Sequence, residues 1–427
     1  MKHRLITFIF LLTGSVVFGQ EKYQLSLADA QNYALEHNKT LQSAQMDITL
    51  SEKKLKESIA QGLPQIDGSI DYTTYFGYEM VFEILGYSST IEMTNASTAK
   101  VQLGQLIFSG QYWAGIQLAK LGEKIAEQGY KNSILDIKES IVSSYLMALV
   151  TERSIEITKK SNESLEEIKG HTNMMYKTGM AKQTDVDQIG IQVSMLSNNL
   201  HTMERSLKLA YSMLKFQMGL NPSDEIELTD DLETLLATIS PEAELGNFDV
   251  TNNLNYQLVE TQTDMSQKKL DMEKWNYAPT ISGYYAYNEK LLTTGFDMTP
   301  DHVAGLSVSI PIFSSGSRKN KVAQAKIELE KAEINKSIVK EQLEIQKEQL
   351  SFDLNSAIEN YEAQKQNVEV AKRVFNNVKR QYEEGMASSF DLTQSNNDHL
   401  QAESNFTQAM MSLLQAKVAL DKLYNQL

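Results

Sequence analysis

Two long stretches without proline constrain the fold of this chain more than any other feature. No proline occurs between Pro64 and Pro222 or after Pro311. Residues 112–175 and 317–381 are rich in Ala, Glu, Lys, Gln, Leu and Ile, which are all compatible with helix. A helix over residues 112–175 would be roughly 96 Å long, more than a compact domain needs. The sequence therefore predicts long helices that pack side by side.

An apolar seam runs along the second stretch. Five side chains are spaced by seven, four, seven and seven residues, as in a coiled coil: Ile327, Ile334, Ile338, Ile345 and Phe352. This spacing predicts that one face of the helix packs against another helix.

The chain also repeats itself. The phrase YKTGMAKQTDVDQ begins at Tyr176, and YEEGMASSFDLTQ begins at Tyr382. Three more pairs occur in the same order, namely SEKKL with SQKKL, LPQIDGSIDY with APTISGYYAY, and QLIFSG with PIFSSG. Four ordered pairs indicate a duplicated unit. We expect a first repeat over residues 20–219 and a second over residues 253–427.

Each repeat is predicted to contain a helix, two strands, a long helix, a glycine turn and a return helix. The first helix is expected over 26–62, with Ser26 and Asp29 as a capping box, and its counterpart over 253–277. The return helices are expected over 186–219 and 388–425.

Residues 220–252 separate the repeats and break the pattern. They contain Pro222 and Pro241, and eleven acids but no Lys or Arg occur from Phe216 to Gln267. Two interpretations are open at this point: a solvated linker, or a belt of irregular structure around the middle of the helices.

Residues 1–19 are predicted to be a signal peptide. Basic residues at the start precede a short apolar run, Leu5–Val17, which is too short to span a membrane. The whole chain has a net charge of -15, and removal of Lys2 and Arg4 with this segment leaves -17. So acidic a protein repels phosphate backbones, which argues against nucleic acid as a partner. The chain contains no cysteine, so thiolate metal sites are excluded.

Four segments alternate between apolar and polar residues or are rich in aromatics, and they are predicted to be strands: 65–76, 98–107, 281–289 and 304–312. Each has about the length of a tilted membrane-spanning strand. Loops 79–96 and 291–301 would join them into hairpins. A small soluble sheet with one face in water is the alternative. Four strands cannot close a barrel, and open edges are not tolerated in lipid, so membrane strands would require several chains. Three chains would supply twelve strands.

The chain resembles the TolC-like outer-membrane efflux proteins over essentially its whole predicted mature length. The resemblance rests on LSLADAQNYALEHNKTL, on LPQI and IPIFSSG within the strand hairpins, and on the two glycine phrases. It implies a mixed α and β fold, with long α-helical hairpins forming a coiled-coil tunnel. Four β-strands per chain would contribute to a trimeric twelve-stranded transmembrane β-barrel. It also implies a homotrimer in the outer membrane, in contact with lipid, whose periplasmic tunnel binds an adaptor protein and an inner-membrane transporter.

The two phrases then become the periplasmic tips of helical hairpins. Turns at Gly179 and Gly385 are expected there, and the residues beside them, Met180, Ala181, Met386 and Ala387, are expected to contact the adaptor.

The resemblance also implies a periplasmic gate, with Asp185, Tyr382 and Asp391 as the matching residues and Gln394 in place of a family aspartate. Tyr382 is expected to hydrogen-bond a neighbouring hairpin through Asp185. Ala387 replaces an arginine of some members, and Lys182 or Lys379 is expected to substitute for it. Asp185 and Asp391 also suit the N-termini of the return helices.

The function expected from the sequence is a passive duct of an efflux or type I secretion system. A structural coiled-coil envelope protein or adhesin is the alternative, although a spacer does not need paired alternating strands. No catalytic order of residues or cofactor motif points to an enzyme, and no cofactor is expected. The scattered histidines His37, His171, His201, His302 and His399 are expected at the surface.

Overall fold

The computed structural model describes residues 22–84, 86–237, 248–293, 297 and 299–427. The predicted signal peptide and residues 238–247 of the segment between the predicted repeats lie outside the described residues.

The described chain is built from long helices and short groups of strands. The first part contains β1 (Lys22–Leu25), α1 (Leu27–His37), α2 (Lys39–Ala60), β2 (Gln65–Thr73), β3 (Glu79–Ile84), β4 (Tyr87–Glu92), β5 (Ala96–Phe108), α3 (Gly110–Lys177) and α4 (Gln183–Met218). The remainder contains β6 (Glu225–Leu228), α5 (Leu232–Ala237), α6 (Leu254–Trp275), β7 (Thr280–Leu292), β8 (His302–Ser309), α7 (Ser317–Glu383) and α8 (Ser389–Leu423).

The chain divides into two compact units. The first comprises Met1–Asn38, Ile137–Glu244 and Phe352–Ala419, and the second comprises Lys39–Asp136, Leu245–Ser351 and Leu420–Leu427. Each predicted repeat contributes segments to both units. The division into units therefore does not test the repeat boundaries, which stay a prediction from the sequence.

The predicted long helices are present, and α3 and α7 contain 68 and 67 residues. The capping box at the start of α1 is also confirmed, because Ser26 and Asp29 hydrogen-bond each other's backbone N–H groups. The single helix predicted over 26–62 was wrong, since the chain is extended at Asn38 and divides it into α1 and α2. There, Nδ2 of Asn38 donates to the carbonyl oxygen of Gln217 in α4. A contact with a residue distant in sequence thus ends the helix where local propensity does not.

The four predicted strands form one antiparallel sheet in the order β2-β5-β7-β8. Strands β5 and β7 join the two hairpins, and β2 and β8 are the edge strands. Strand β2 ends earlier than expected, at Thr73, whose partner Ala96 is the first residue of β5.

The sheet has one apolar and one polar face. The register aligns one row across all four strands on the first face: Ile66, Leu103, Tyr285 and Ala304. Ile66 is 73% exposed and Leu306, on the same face, is 75% exposed. On the opposite face a polar row lies across three strands: Ser69, Lys100 and Asn288. The predicted alternation is therefore confirmed, and the apolar face of the sheet is exposed in the single chain.

Two small sheets were not expected. Residues predicted as the loop 79–96 contain the antiparallel hairpin β3-β4. Strand β6 pairs in parallel with β1, which gives part of the segment 220–252 a regular structure. Leu232 and Leu236 of α5 are buried as well. Among the described helices, none contains a stretch apolar and long enough to cross a membrane.

Gly219 provides a test of the contact that ends α1. It has a φ of +81°, and a Cβ atom there would overlap the carbonyl oxygen of His37 and lie 2.9 Å from its carbonyl carbon. Gly179 has a similar φ of +78°, but a Cβ would meet nothing within 4 Å.

We expect Gly219→Ala to lower the free energy of unfolding by about 2–4 kcal/mol, because left-handed strain and steric overlap add. Gly179→Ala should lower it by about 1 kcal/mol through strain alone. Urea unfolding followed by circular dichroism would measure both. Equal losses of unfolding free energy in the two variants would show that the backbone at Gly219 and His37 shifts to remove the overlap without a measurable energetic cost.

Candidate functional site: the helical hairpin tips

Both predicted glycine turns have the same backbone geometry. Gly179 and Gly385 adopt positive φ angles of 78° and 76°. The N–H of each glycine bonds a carbonyl three residues back, at 3.0 and 2.9 Å, and the next N–H bonds one five residues back, at 2.8 and 2.7 Å. This pair of bonds is the Schellman motif that ends a helix at a left-handed residue. The repeated phrase therefore has one structural meaning in both places.

The return helices begin with similar acidic caps. Oδ2 of Asp185 accepts from the backbone N–H of Lys182 at 2.9 Å, and Oδ2 of Asp391 accepts from that of Ser388 at 3.1 Å. Asp391 also accepts from the Ser388 hydroxyl at 2.7 Å. This side-chain bond, followed by the backbone bond, lowers the pKa of Asp391. The expected role at helix N-termini is thus present for both aspartates.

Asp185 also connects the two hairpins. Its Oδ1 accepts a hydrogen bond of 2.7 Å from the hydroxyl of Ser389, at the start of α8. This bond is the main reason that the pKa of Asp185 is lowered, with the Lys182 backbone bond second. Among the described residues, no side chain of the other hairpin donates a hydrogen bond to Asp391. The two aspartates are therefore not equivalent. Ser389 was missed by sequence reasoning, because its pairing depends on contact between separate hairpins.

Tyr382 is buried, with 5% of its surface exposed, and forms a second connection between the hairpins. Its hydroxyl lies 2.8 Å from Oγ1 of Thr172 in α3. Because Thr172 donates its proton to the carbonyl oxygen of Ile168 at 2.8 Å, Tyr382 must be the donor of the bond to Thr172. Burial raises the pKa of the Tyr382 hydroxyl. The expected bond from Tyr382 to Asp185 was wrong, since Asp185 accepts from Ser389 instead.

An apolar cluster surrounds these polar contacts. It contains side chains from all four helices near the tips: Leu165, Ile168, Ile189, Val193, Leu196, Phe375, Tyr382 and Leu392. Because apolar packing excludes water, it strengthens the hydrogen bond that Tyr382 makes.

The other predicted residues have less direct roles. Gln394 donates to Asp398 of its own helix at 2.8 Å. Ala387 packs against the apolar cluster, and Met180 and Met386 are exposed.

The two lysines proposed to replace the family arginine differ. Nζ of Lys379 donates to the Ser164 hydroxyl of α3 at 2.9 Å, which links the two hairpins a third time. Lys182, in contrast, contacts Asp185 through its backbone N–H, which donates to the carboxylate.

The residues at the tips contact each other through hydrogen bonds and apolar packing. Within the described part of the chain, no group of three or more His, Cys, Asp or Glu side chains has the geometry to hold a metal ion. The hydrogen bonds and apolar contacts hold two helical hairpins against each other.

The sheet, the helical hairpins and their tips together define a class of fold that is found in solved outer-membrane channels. The fold matches that of the solved channel protein CusC with a TM-score of 0.78 and 12% sequence identity. The match covers 93% of this chain and 91% of that one.

The family follows from the sequence itself. The model of the outer membrane efflux protein family matches residues 31–220 and 251–426, and the chain belongs to this family. It is 19% identical to the outer membrane efflux protein BepC of Brucella suis biovar 1 (strain 1330) over 419 residues, covering 97% of this chain and 89% of BepC. It is 23% identical to outer membrane protein TolC of Escherichia coli (strain K12) over 308 residues, covering 67% of this chain and 59% of TolC. The predicted resemblance is confirmed, as are the outer-membrane location and a channel for efflux or secretion.

The two tyrosines of the repeated phrase provide a matched test. Tyr176 occupies the position of Tyr382 in the first hairpin but is 42% exposed. We expect Tyr382→Phe to lower the free energy of unfolding by about 0.5–1.5 kcal/mol, because one buried hydrogen bond is lost. Tyr176→Phe should change it by less than about 0.5 kcal/mol. Urea unfolding compares the two variants, and equal effects would argue against the Thr172 bond as the cause.

Proposed function

We propose that three copies of this chain form a passive duct through the outer membrane. Their sheets would close into one twelve-stranded barrel, and their helices would form a periplasmic tunnel. The tunnel would receive substrates from a periplasmic adaptor and an inner-membrane transporter, as in an efflux or type I secretion system.

One observation carries this proposal: the sheet of a single chain combines an exposed apolar face with two open edges. The apolar face suits lipid, but an unpaired edge strand does not, because its backbone groups have no water to bond in the hydrocarbon. Pairing β2 of one copy with β8 of the next satisfies both edges. It would also place the polar row Ser69, Lys100 and Asn288 inside the barrel.

The helical part supports the same assembly. The predicted seam on α7 is exposed in the single chain, where Ile334 and Ile345 are 60% and 64% exposed. An exposed apolar stripe of this kind marks a surface that packs against another protein surface. A second copy of the chain would cover it in the proposed trimer.

We place the gate at the hairpin tips. The contacts Tyr382–Thr172, Ser389–Asp185 and Lys379–Ser164 hold the hairpins of one chain together. Loss of these contacts would free the α7–α8 hairpin to move away from the α3–α4 hairpin. Three copies each of Asp185 and Asp391 near one axis would also give the entrance a negative charge. Acidic rings attract cations and repel anions.

The alternative of a structural envelope protein explains less. A spacer has no use for a sheet whose outward face is apolar, and the family and fold are those of passive channels.

The assembly is tested by replacing one residue of the α7 seam. We expect the wild-type protein in mild detergent to have three times the chain mass in native mass spectrometry. Ile334→Glu should yield monomers with unchanged helix content, because the position is exposed within one chain but would be buried between copies. Glu330→Gln, an exposed change one turn earlier, is the control and should remain trimeric. A stable wild-type monomer would overturn the duct.

The gate is tested with two sets of variants. One removes hydrogen bonds between the hairpins, and the other removes a negative charge at the entrance. We expect the double variant Tyr382→Phe/Ser389→Ala to raise single-channel conductance in planar bilayers, since two bonds between hairpins are lost while Asp185 keeps its charge and cap. Asp391→Asn should lower the cation preference and leave closure nearly unchanged, because the bonds of Asp391 among the described residues lie within its own turn. If the double variant conducts like wild type, these contacts do not close the channel.

A further inference from the structure

Helix α8 buries two polar side chains that have no hydrogen-bond partner in the described structure. Asn396 is fully buried, and neither its Oδ1 nor its Nδ2 is bonded. His399, one turn further on, is 7% exposed, and neither of its ring nitrogens is hydrogen-bonded. The prediction of a surface histidine was wrong at this position. Buried polar atoms without partners are costly and rare, so these four atoms need a physical explanation.

His399 lies against an aromatic ring rather than against polar groups. Its imidazole stacks on Phe375 of α7, with ring centroids 5.7 Å apart and planes inclined by 6°. Its Nε2 lies 3.4 Å from Oε1 of Glu403, which is within ion-pair distance although the geometry is not that of a hydrogen bond. This arrangement suits a neutral imidazole that packs as a flat apolar surface.

Other charges near this position are engaged or exposed. On α7, Lys372 and Arg373 are exposed, and Lys379 donates to Ser164. On α3, Glu166 and Lys169 pair with each other at 3.5 Å. Helix α4 has no charged residue between Ile189 and Leu200. Glu403 is therefore the one carboxylate that the described structure brings within ion-pair distance of His399.

We propose that His399 is a proton-sensitive element that loosens α8 from α7 when it becomes charged. A histidine normally gains its proton between about pH 5 and pH 8. The charged ring has two N–H donors, but only Glu403 is near, so one donor would be buried without an acceptor. Burial of a poorly compensated charge is strongly unfavourable. Separation of α8 from α7 admits water to His399 and also to Asn396, whose unpaired atoms favour the same movement.

His399 contacts the apolar cluster at the hairpin tips through Phe375. Phe375 belongs to the same apolar cluster as Tyr382 and Leu392, and Leu392 lies one turn before Asn396 on α8. Loosening at His399 therefore weakens the packing around the bond that Tyr382 makes to Thr172. That this opens a channel rests on the gate proposed above. The carboxyl of Asp185 does not compete as the sensor, because its hydrogen bonds from Ser389 and from the Lys182 backbone lower its pKa, which moves its titration away from neutral pH.

Hydrogen exchange on the full-length protein in detergent tests the proposal. Amide exchange in peptides covering residues 389–403 is compared at about pH 7.5 and about pH 5.5, after correction for the intrinsic pH dependence of exchange. We expect protection to fall at the lower pH, because a charged ring is unfavourable in the buried position and favours the form in which water reaches it. His399→Phe should abolish this change, and Asn396→Leu should raise protection at both pH values. If His399→Phe does not fold, His399→Gln serves as the variant that cannot titrate.

His201 is the matched control. It also lies near a glutamate of its own helix, with Nδ1 3.3 Å from Oε2 of Glu204, but its side chain is 62% exposed. His201→Phe should keep the full wild-type response. Unchanged or increased protection at the lower pH, or the same response in His399→Phe, would overturn the proposal. Conductance of the same samples separates the two ideas, since a change in exchange without a change in conductance would support the His399 element and reject the gate.

Discussion

Backbone hydrogen bonding along the edges of the four-stranded sheet is the constraint on which the rest of the structure depends. Strands β2 and β8 are edges within one chain, and they flank a face whose residues are apolar and exposed. Lipid can solvate that face but cannot bond the edges. This constraint is the reason for proposing that several copies of the chain pair their edges. Within one chain, the pairing of β5 with β7 shows how two hairpins distant in sequence combine into one sheet.

The hairpin tips show how a duplicated sequence acquires distinct contacts in its two copies. The backbone turns at Gly179 and Gly385 match bond for bond. The side chains do not: Tyr382 is buried and bonds Thr172, whereas Tyr176 is exposed. Asp185 connects two hairpins, whereas Asp391 caps only its own helix. Backbone geometry is therefore shared between the copies, while their side chains make different contacts.

The helices around the tips combine strong and weak packing. A few hydrogen bonds and an apolar cluster hold the hairpins together. One turn away, α8 buries Asn396, whose side chain bonds none of the residues that the structure describes. Each bond contributes about 1 kcal/mol, and each unpaired buried atom removes a comparable amount. This balance of favourable and unfavourable contacts is what motivates the proposal that a small change in charge loosens the tips.

The sequence by itself determined the features that depend on neighbouring residues. Proline-free stretches predicted the long helices, alternation predicted the four strands, Ser26 and Asp29 predicted a cap, and Gly179 and Gly385 predicted the turns. These signals are local, since helix, strand and turn preferences act over a few residues. Only the tertiary structure decided the break at Asn38, the pairing of β1 with β6, the bond from Tyr382 to Thr172 and the burial of His399. Tyr382 and Thr172 are 210 residues apart in the chain. Their contact depends on how four helices pack, which no short pattern of residues encodes.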